Sequence, residues 1–374
     1  MLKVFICIGT RADIIKMSPI INKLKKDGKF NTYVCLSGQH HELALSAVDT
    51  LNIPVDSYNN IMKAYQSYDY LVEKIVCLYT EKMKAFSPDI VLVHGDTSTS
   101  FCGALSAAYL KIPVMHIEAG LRTYSKTPFP EELHRRLITN CSTFFACPDL
   151  KSQENLLNEG VPCNNISVTG NTIADVLFSS LDLKYEFRND ILKRIPYESK
   201  FEIIITLHRS ETTEDDIVYV CNVLKRIIRS SQNTVVFWPV HPNPRIKTTV
   251  FKHLDNTNNV YLLDPLIVQD MHNLIFKSSL VLTDSAGIQE ESFLLEKPTI
   301  VLRNTTERPR YMDTNKSVLL SPKSNELYDK IKKIIDASDV KTDYGIFDKL
   351  KTKTGATKSI EKLLENYSQS GRIL

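Results

Sequence analysis

Short apolar runs alternate with longer amphipathic stretches along nearly the whole chain, and that alternation constrains the fold more than any other feature. A short run that is apolar throughout suits a strand buried on both faces, and an amphipathic stretch between two such strands suits the crossover helix of a parallel βαβ unit. Strands are expected at Val4–Ile8, Tyr33–Leu36, Ile90–His94, Val114–Ile117, Phe144–Cys147 and Ile166–Thr169. The second half repeats the scheme at Glu202–Leu207, Thr234–Val240, Val260–Leu263, Leu280–Thr283, Thr299–Leu302 and Ser317–Leu320. The expected fold class is α/β, with two doubly wound, Rossmann-like domains facing a cleft.

A chain of 374 residues exceeds what one hydrophobic core usually organises, which also favours two domains. A polar stretch from Leu183 to Lys200, with Lys184, Glu186, Arg188 and Asn189, reads as the linker region between the two series of strands. The expected division is 1–175 and 176–356, with a C-terminal helix over 357–374 that is free to pack back on the first domain.

Composition narrows the function classes. The 46 basic and 43 acidic side chains leave a net charge of only +3, too weak a field for nucleic-acid binding, and Lys23, Lys25, Lys26 and Lys29 read as the solvated face of one helix. No apolar run reaches the length of a membrane span, and Leu2–Ile8 is a strand-length run rather than a signal peptide. The eight cysteines form no C-x-x-C pair and several fall in apolar patterns, which fits a reduced compartment, so a cytoplasmic location is expected.

In open α/β sheets ligands bind beyond the carboxyl ends of the strands, so the residues just after each strand are the candidates. These are Gly9-Thr10-Arg11, His94-Gly95-Asp96-Thr97, Glu118-Ala119-Gly120-Leu121-Arg122-Thr123, His208-Arg209, His241-Pro242 and Asp284-Ser285-Ala286-Gly287. Neither G-x-G-x-x-G nor G-x-x-x-x-G-K-[ST] occurs, which weakens dehydrogenase and P-loop readings. The Asp284–Gly287 segment leads into a helix, where its N–H groups and hydroxyl suit a phosphate; simple N-capping by Asp284 or Ser285 explains it equally well. Glu290 and Glu291 lie one turn on, placed for ribose hydroxyls or merely for the helix dipole.

Phe129-Pro130-Glu131-Glu132-Leu133-His134-Arg135 sets two acids in a first turn, with Arg135 four residues after Glu131. Capping and an ion pair account for that segment alone. They do not account for Asp96, Glu118 and Glu131 all falling at strand ends or the adjoining loop, since convergent carboxylates are costly without a task, and proton transfer is the commonest one. His94, His116 and His134 match no compact metal-ligand spacing and are read as structural. His208 ends the first strand of the second domain and is the candidate to act opposite the carboxylates.

Taken in order, Gly9-Thr10-Arg11 with Ile15-Lys16-Met17, His94–Thr97, His116–Thr123, Pro128-Phe129-Pro130-Glu131-Glu132, Val168-Thr169-Gly170-Asn171-Thr172, His208-Arg209 and Asp284-Ser285-Ala286-Gly287-Ile288-Gln289-Glu290-Glu291 resemble the non-hydrolysing UDP-N-acetylglucosamine 2-epimerases. The resemblance runs from about residue 4 to about residue 310. It implies a glycosyltransferase-B-like fold, a homodimer, UDP on the second domain, the sugar in the cleft, and no nicotinamide or metal. It implies elimination of UDP to a 2-acetamidoglucal and re-addition with inverted configuration at carbon 2. Asp96, Glu118, Glu131 and His208 match the family's catalytic groups. Substrate contacts are expected at Arg11, Lys16, Arg135, Arg209, His241, Ser285, Ala286, Gly287 and Glu291.

The chain departs from the family pattern in several places. Arg11-Ala12-Asp13 replaces Arg-Pro-Glu, Ser210-Glu211-Thr212 replaces Arg-Glu-Asn, and Ala286-Gly287 replaces Gly-Gly, a change that costs energy if the first glycine needs positive φ. Many members carry an allosteric site for a second UDP-N-acetylglucosamine, and Gln39, His40, His41, Glu42 and Tyr65 stand in its place here. The competing readings are an epimerase of another UDP-2-acetamido sugar, a hydrolysing epimerase, a glycosyltransferase of the same fold, and a UDP-sugar binder without chemistry.

Overall fold

The structure is a computed structural model; it describes every residue except 40, 63–65, 196–199, 210, 307–311, 313–315, 338–344 and 371–374, and except the side chains of 41–43. The chain divides into two compact units, residues 1–176 with 353–374 and residues 177–352.

The first unit is built on seven parallel strands: β1 (Leu2–Ile8), β2 (Phe30–Leu36), β3 (Ser57–Tyr58), β4 (Ile90–His94), β5 (Val114–Ile117), β6 (Phe144–Cys147) and β7 (Ile166–Val168), in the order β3-β2-β1-β4-β5-β6-β7. The apolar runs are continuous because both sheet faces are covered. On β1, Val4, Ile6 and Ile8 join one core while Phe5 and Cys7 join the core on the other face. The two-residue edge strand β3 was not expected, since so short a strand shows no period.

The C-terminal helix Ala356–Ser370 belongs to the first unit, where Ile360, Leu363 and Leu364 enter the β1 core. Asp175 holds its start by accepting from Gly355 N (2.6 Å), Thr357 N (2.8 Å) and Thr357 Oγ1 (2.6 Å). Lysines of helix Arg11–Asp27 and just after it meet acids: Lys25 bonds Asp56, Lys29 bonds Glu365, and Lys23 meets Asp27 and Glu361.

The second unit holds six parallel strands: β8 (Phe201–Thr206), β9 (Thr234–Pro239), β10 (Val260–Leu263), β11 (Leu280–Thr283), β12 (Thr299–Leu302) and β13 (Ser317–Leu320), in the order β10-β9-β8-β11-β12-β13. Its core is centred on Ile203, Ile205, Val236 and Trp238. Part of the stretch read as a linker is anchored in this unit. Asp270, on helix Val268–Lys277, accepts from Tyr185 Oη, Arg188 N and Asn189 N at 2.8–3.0 Å, and Leu192 is fully buried. The low hydrophobicity of this segment reflects backbone donors fastened by a buried carboxylate rather than a chain free in solvent.

In both sheets the strand order reverses beside the first strand of the unit, between β1 and β4 and between β8 and β11. Those are the topological switch points at which open α/β sheets bind ligands, and the residues that follow these strands are the candidates in each unit by itself.

Candidate active site

Helix Arg11–Asp27 follows β1 through a capping box: Thr10 accepts from Asp13 N, and the Asp13 carboxylate accepts from Thr10 N. The Asp of the divergent Arg11-Ala12-Asp13 turn therefore does a capping task that needs only an acid at that position. Asp13 Oδ2 also accepts from Thr97 Oγ1 at 3.2 Å, which ties the β1 turn to the β4 turn. Burial pushes the Asp13 carboxyl up to about 7, aided by Asp96 and opposed by the Thr10 and Thr97 bonds.

A folded-state value above the unfolded 3.8 means that the folded chain binds this proton more tightly. The stability contributed by the neutral form is therefore complete below about 4 and lost as pH rises to about 7. Asp13→Asn keeps an acceptor and cannot ionise, so its stability relative to the wild type should rise between pH 5 and pH 8 in urea unfolding. Parallel curves across that range would show that the carboxyl is not perturbed.

Strand β5 is followed by Glu118, which has φ 63°, a left-handed backbone that non-glycine residues adopt at a cost and that recurs at functional sites. This turn aims the carboxylate back over the β4 turn. A Cβ on Gly95 would lie 3.2 Å from Glu118 Oε2, and Gly95 itself has φ 64°, so glycine is favoured there on two counts. Glu118 Oε1 takes a short bond from Lys16 Nζ and a 2.8 Å bond from Asn171 Nδ2, and His94 Nε2 is 4.0 Å from Oε2. Lys16 is thus a buried counter-charge to Glu118.

The adjacent Gly95-Asp96 turn is held by two histidines. His116 Nε2 donates to Gly95 O (2.7 Å) and His134 Nδ1 to Asp96 O (3.0 Å), each imidazole acting as donor because a carbonyl can only accept. Burial drives His116 down to about 3 and lowers His134 as well, so both stay neutral and keep the turn in place. The Asp96 carboxylate is paired with Arg135. Arg135 Nε also donates to Glu132 Oε2 (3.0 Å), and Glu132 accepts from Thr123 N and Tyr124 N. Arg135 is therefore a buried bridge between the β4 turn and the first turn of helix Glu131–Cys141. Glu131 opens that helix with its Oε2 withdrawn from solvent, and Arg11 opens the helix after β1.

In the second unit, Asp284 follows β11 and is fully buried. Its carboxylate accepts from His208 N (3.0 and 2.9 Å), Arg209 N (3.0 Å) and Thr212 Oγ1 (2.9 Å), and His208 Nδ1 lies 3.2 Å from Oδ1. Burial pushes the Asp284 carboxyl up, but these donors outweigh it and hold the group below the usual carboxylate range. The His208 and His241 rings stack at 5.9 Å. Ser285, not Asp284, caps helix Ala286–Leu294 by accepting from Ile288 N. Ala286 is the first helical residue and has no positive φ, so the loss of the family's glycine carries no backbone penalty.

Glu291 folds back toward this helix start: a Cβ on Gly287 would lie 3.8 Å from both Glu291 Oε1 and Ser285 Oγ. Buried His272 stands 3.7 Å from Glu291 Oε2 and bonds Ser180 Oγ through Nδ1 at 2.6 Å. Of the suggested allosteric residues, Gln39 accepts from Thr99 N and Thr99 Oγ1, fastening it to the helix after Asp96. His40, Tyr65 and the Glu42 side chain lie outside the described residues, as does residue 210.

Asp284 and Asn171, the direct partners of His208 and Glu118, were not foreseen as such. The signal for Asp284 lay in strand adjacency, because β8 and β11 are neighbours and their following residues must meet. Among the described residues no group of three His, Cys, Asp or Glu side chains is placed to hold a metal ion, and no helix is long and apolar enough to cross a membrane.

Two parallel-sheet α/β units with polar constellations at both switch points define a protein of glycosyltransferase-B-like fold. Within that class the chain belongs to the UDP-N-acetylglucosamine 2-epimerase family of isomerases, whose model matches residues 22–364. The UDP-N-acetylglucosamine 2-epimerase of Bacillus subtilis is 37% identical over 339 residues, covering 90% of this chain and 88% of that one. The UDP-GlcNAc 2-epimerase from Neisseria meningitidis, solved bound to UDP-GlcNAc, is 35% identical with a TM-score of 0.86, covering 98% of this chain and all of that one. The S. aureus protein MnaA, solved with UDP, is 31% identical with a TM-score of 0.88, covering 99% of this chain and 97% of that one.

Proposed function

We propose that this protein is a non-hydrolysing epimerase that interconverts UDP-N-acetylglucosamine and UDP-N-acetylmannosamine. The observation that carries the reading is the strained Glu118 turn, which lays one carboxylate against the Gly95-Asp96 turn of another within a chain of this family. The hydrogen on carbon 2 is not beside a carbonyl, so it leaves only as the bond from carbon 1 to the diphosphate oxygen breaks. A base takes that proton, a C1–C2 double bond forms, and the electron pair of the C1–O bond departs with UDP. Re-addition of UDP, with protonation of carbon 2 from the other face, gives the epimer.

Asp96, Glu118 and Glu131 are the proposed proton carriers, which is the common task of placed carboxylates. His208, with Arg11 and Arg209, is proposed to neutralise the departing diphosphate, the kind of preorganised charge that often contributes most to catalysis. Ser285, Ala286 and Gly287 offer a helix N-terminus to the phosphates, and Glu291 and His241 flank that position. We read the enzyme as a cytoplasmic homodimer, independent of metal and nicotinamide, whose product supplies a cell-surface polysaccharide.

The test is incubation with UDP-N-acetylglucosamine in deuterated water, followed by NMR. A UDP-linked manno product carrying deuterium at carbon 2 is expected. Free N-acetylmannosamine with UDP would instead make it a hydrolysing enzyme. No change would point to another UDP-2-acetamido sugar or to a binder without chemistry.

A further inference from the structure

The turn at the β8–β11 switch point is organised around one carboxylate. Asp284 has no exposure to solvent, yet its two oxygens collect the amides of His208 and Arg209, the Thr212 hydroxyl and the Nδ1 edge of the His208 ring. A buried carboxylate with this many donors remains charged, and a charged carboxylate beside an imidazole nitrogen requires a proton on that nitrogen. The backbone bonds from residues 208 and 209 fix the main chain from which the ring projects, while Oδ1 fixes its rotation. The His208 side chain is 36% exposed, so the edge away from Asp284 reaches solvent.

We propose that Asp284 is the positioning residue for His208, locking the ring with Nδ1–H inward and presenting Nε2 as the nitrogen that meets the substrate. This rests on the reading of His208 as the group that acts on the departing diphosphate. Held in this way, the ring presents Nε2 to the diphosphate without turning. Among the described residues His241 stacks on the ring, and Arg209 and Glu211 flank His208 in the chain. His241 Nδ1 accepts from Asn243 N at 3.2 Å.

Two measurements test this, one of them independent of turnover. Histidine-labelled wild-type protein is titrated by 15N NMR, with His208→Gln to assign the signal. Neutral His208 is expected as the Nδ1–H tautomer; an Nε2–H tautomer overturns the proposal. In Asp284→Asn the neutral His208 ring is expected to lose its preference for the Nδ1–H tautomer. The same variant should lose at least about 100-fold in kcat while KM and UDP affinity stay within about threefold. A kcat within about fivefold of wild type, or an Nδ1–H tautomer unchanged in the variant, overturns the proposal.

If the wild type does not epimerise but His208 behaves as described, the assigned reaction is wrong and the hold of Asp284 on His208 stands. If the variant does not fold, the wild-type tautomer decides. A variant that merely disturbs the neighbouring Ser285 cap would weaken UDP binding and leave the tautomer in place, which also counts against the proposal.

Discussion

Glu118→Gln is expected to lower kcat by about 10³-fold, within the range that placed acid–base groups contribute, while UDP binding is retained. The substitution keeps the shape and keeps an oxygen for Asn171 Nδ2, so the left-handed turn at position 118 has no steric reason to move. What it removes is the proton-accepting charge, together with the partner of buried Lys16. Ser285, Ala286, Gly287 and Glu291, proposed to hold UDP, lie in the other unit, so affinity for UDP reports on groups that the substitution does not touch. The check is steady-state epimerisation with isothermal titration of UDP. Activity within about tenfold of wild type would remove Glu118 from the proton-transfer step.

Arg135→Ala is expected to cost about 3–5 kcal/mol of folding stability and to abolish turnover, because deleting one member of a buried ion network strands the others. Glu132 is held below the usual range although burial pushes it up; the Thr123 amide and then Arg135 bring it down, so losing the guanidinium leaves a buried charge under-compensated. Asp96 loses its cation in the same step. Arg135→Lys should recover only part of the loss, since an ammonium is a point charge and cannot span both carboxylates with a planar fork. Urea unfolding of the three proteins at pH 7 measures this. A loss below about 1 kcal/mol for the alanine variant would mean that water replaces the bridge.

The two sheets were legible in the sequence for a definite reason. Parallel strands buried on both faces are written as apolar runs: β4 and β11 are apolar up to their last residue, and β1 and β8 are broken near their starts only by Lys3 and Glu202. The strand-end rule then singled out Asp96, Glu118, His208 and Ser285, because a residue's place after a strand is a property of the sequence order. The rule did not distinguish neighbours within a turn. Asp284 and Ser285 were equal candidates to cap one helix, and strand adjacency separated them: β11 lies beside β8, so Asp284 meets the His208 turn while Ser285 faces its own helix.

The same division applies to charge. The sequence by itself determined the fold class, the family and the strand-end positions, since these follow from period, order and residue type. Pairing was decided only by the tertiary structure: Lys16 on Glu118 is a contact across 102 residues and Arg135 on Asp96 one across 39. Spacing along the chain carries no sign of either contact, because a cation removed from water must meet a carboxylate wherever the fold provides one.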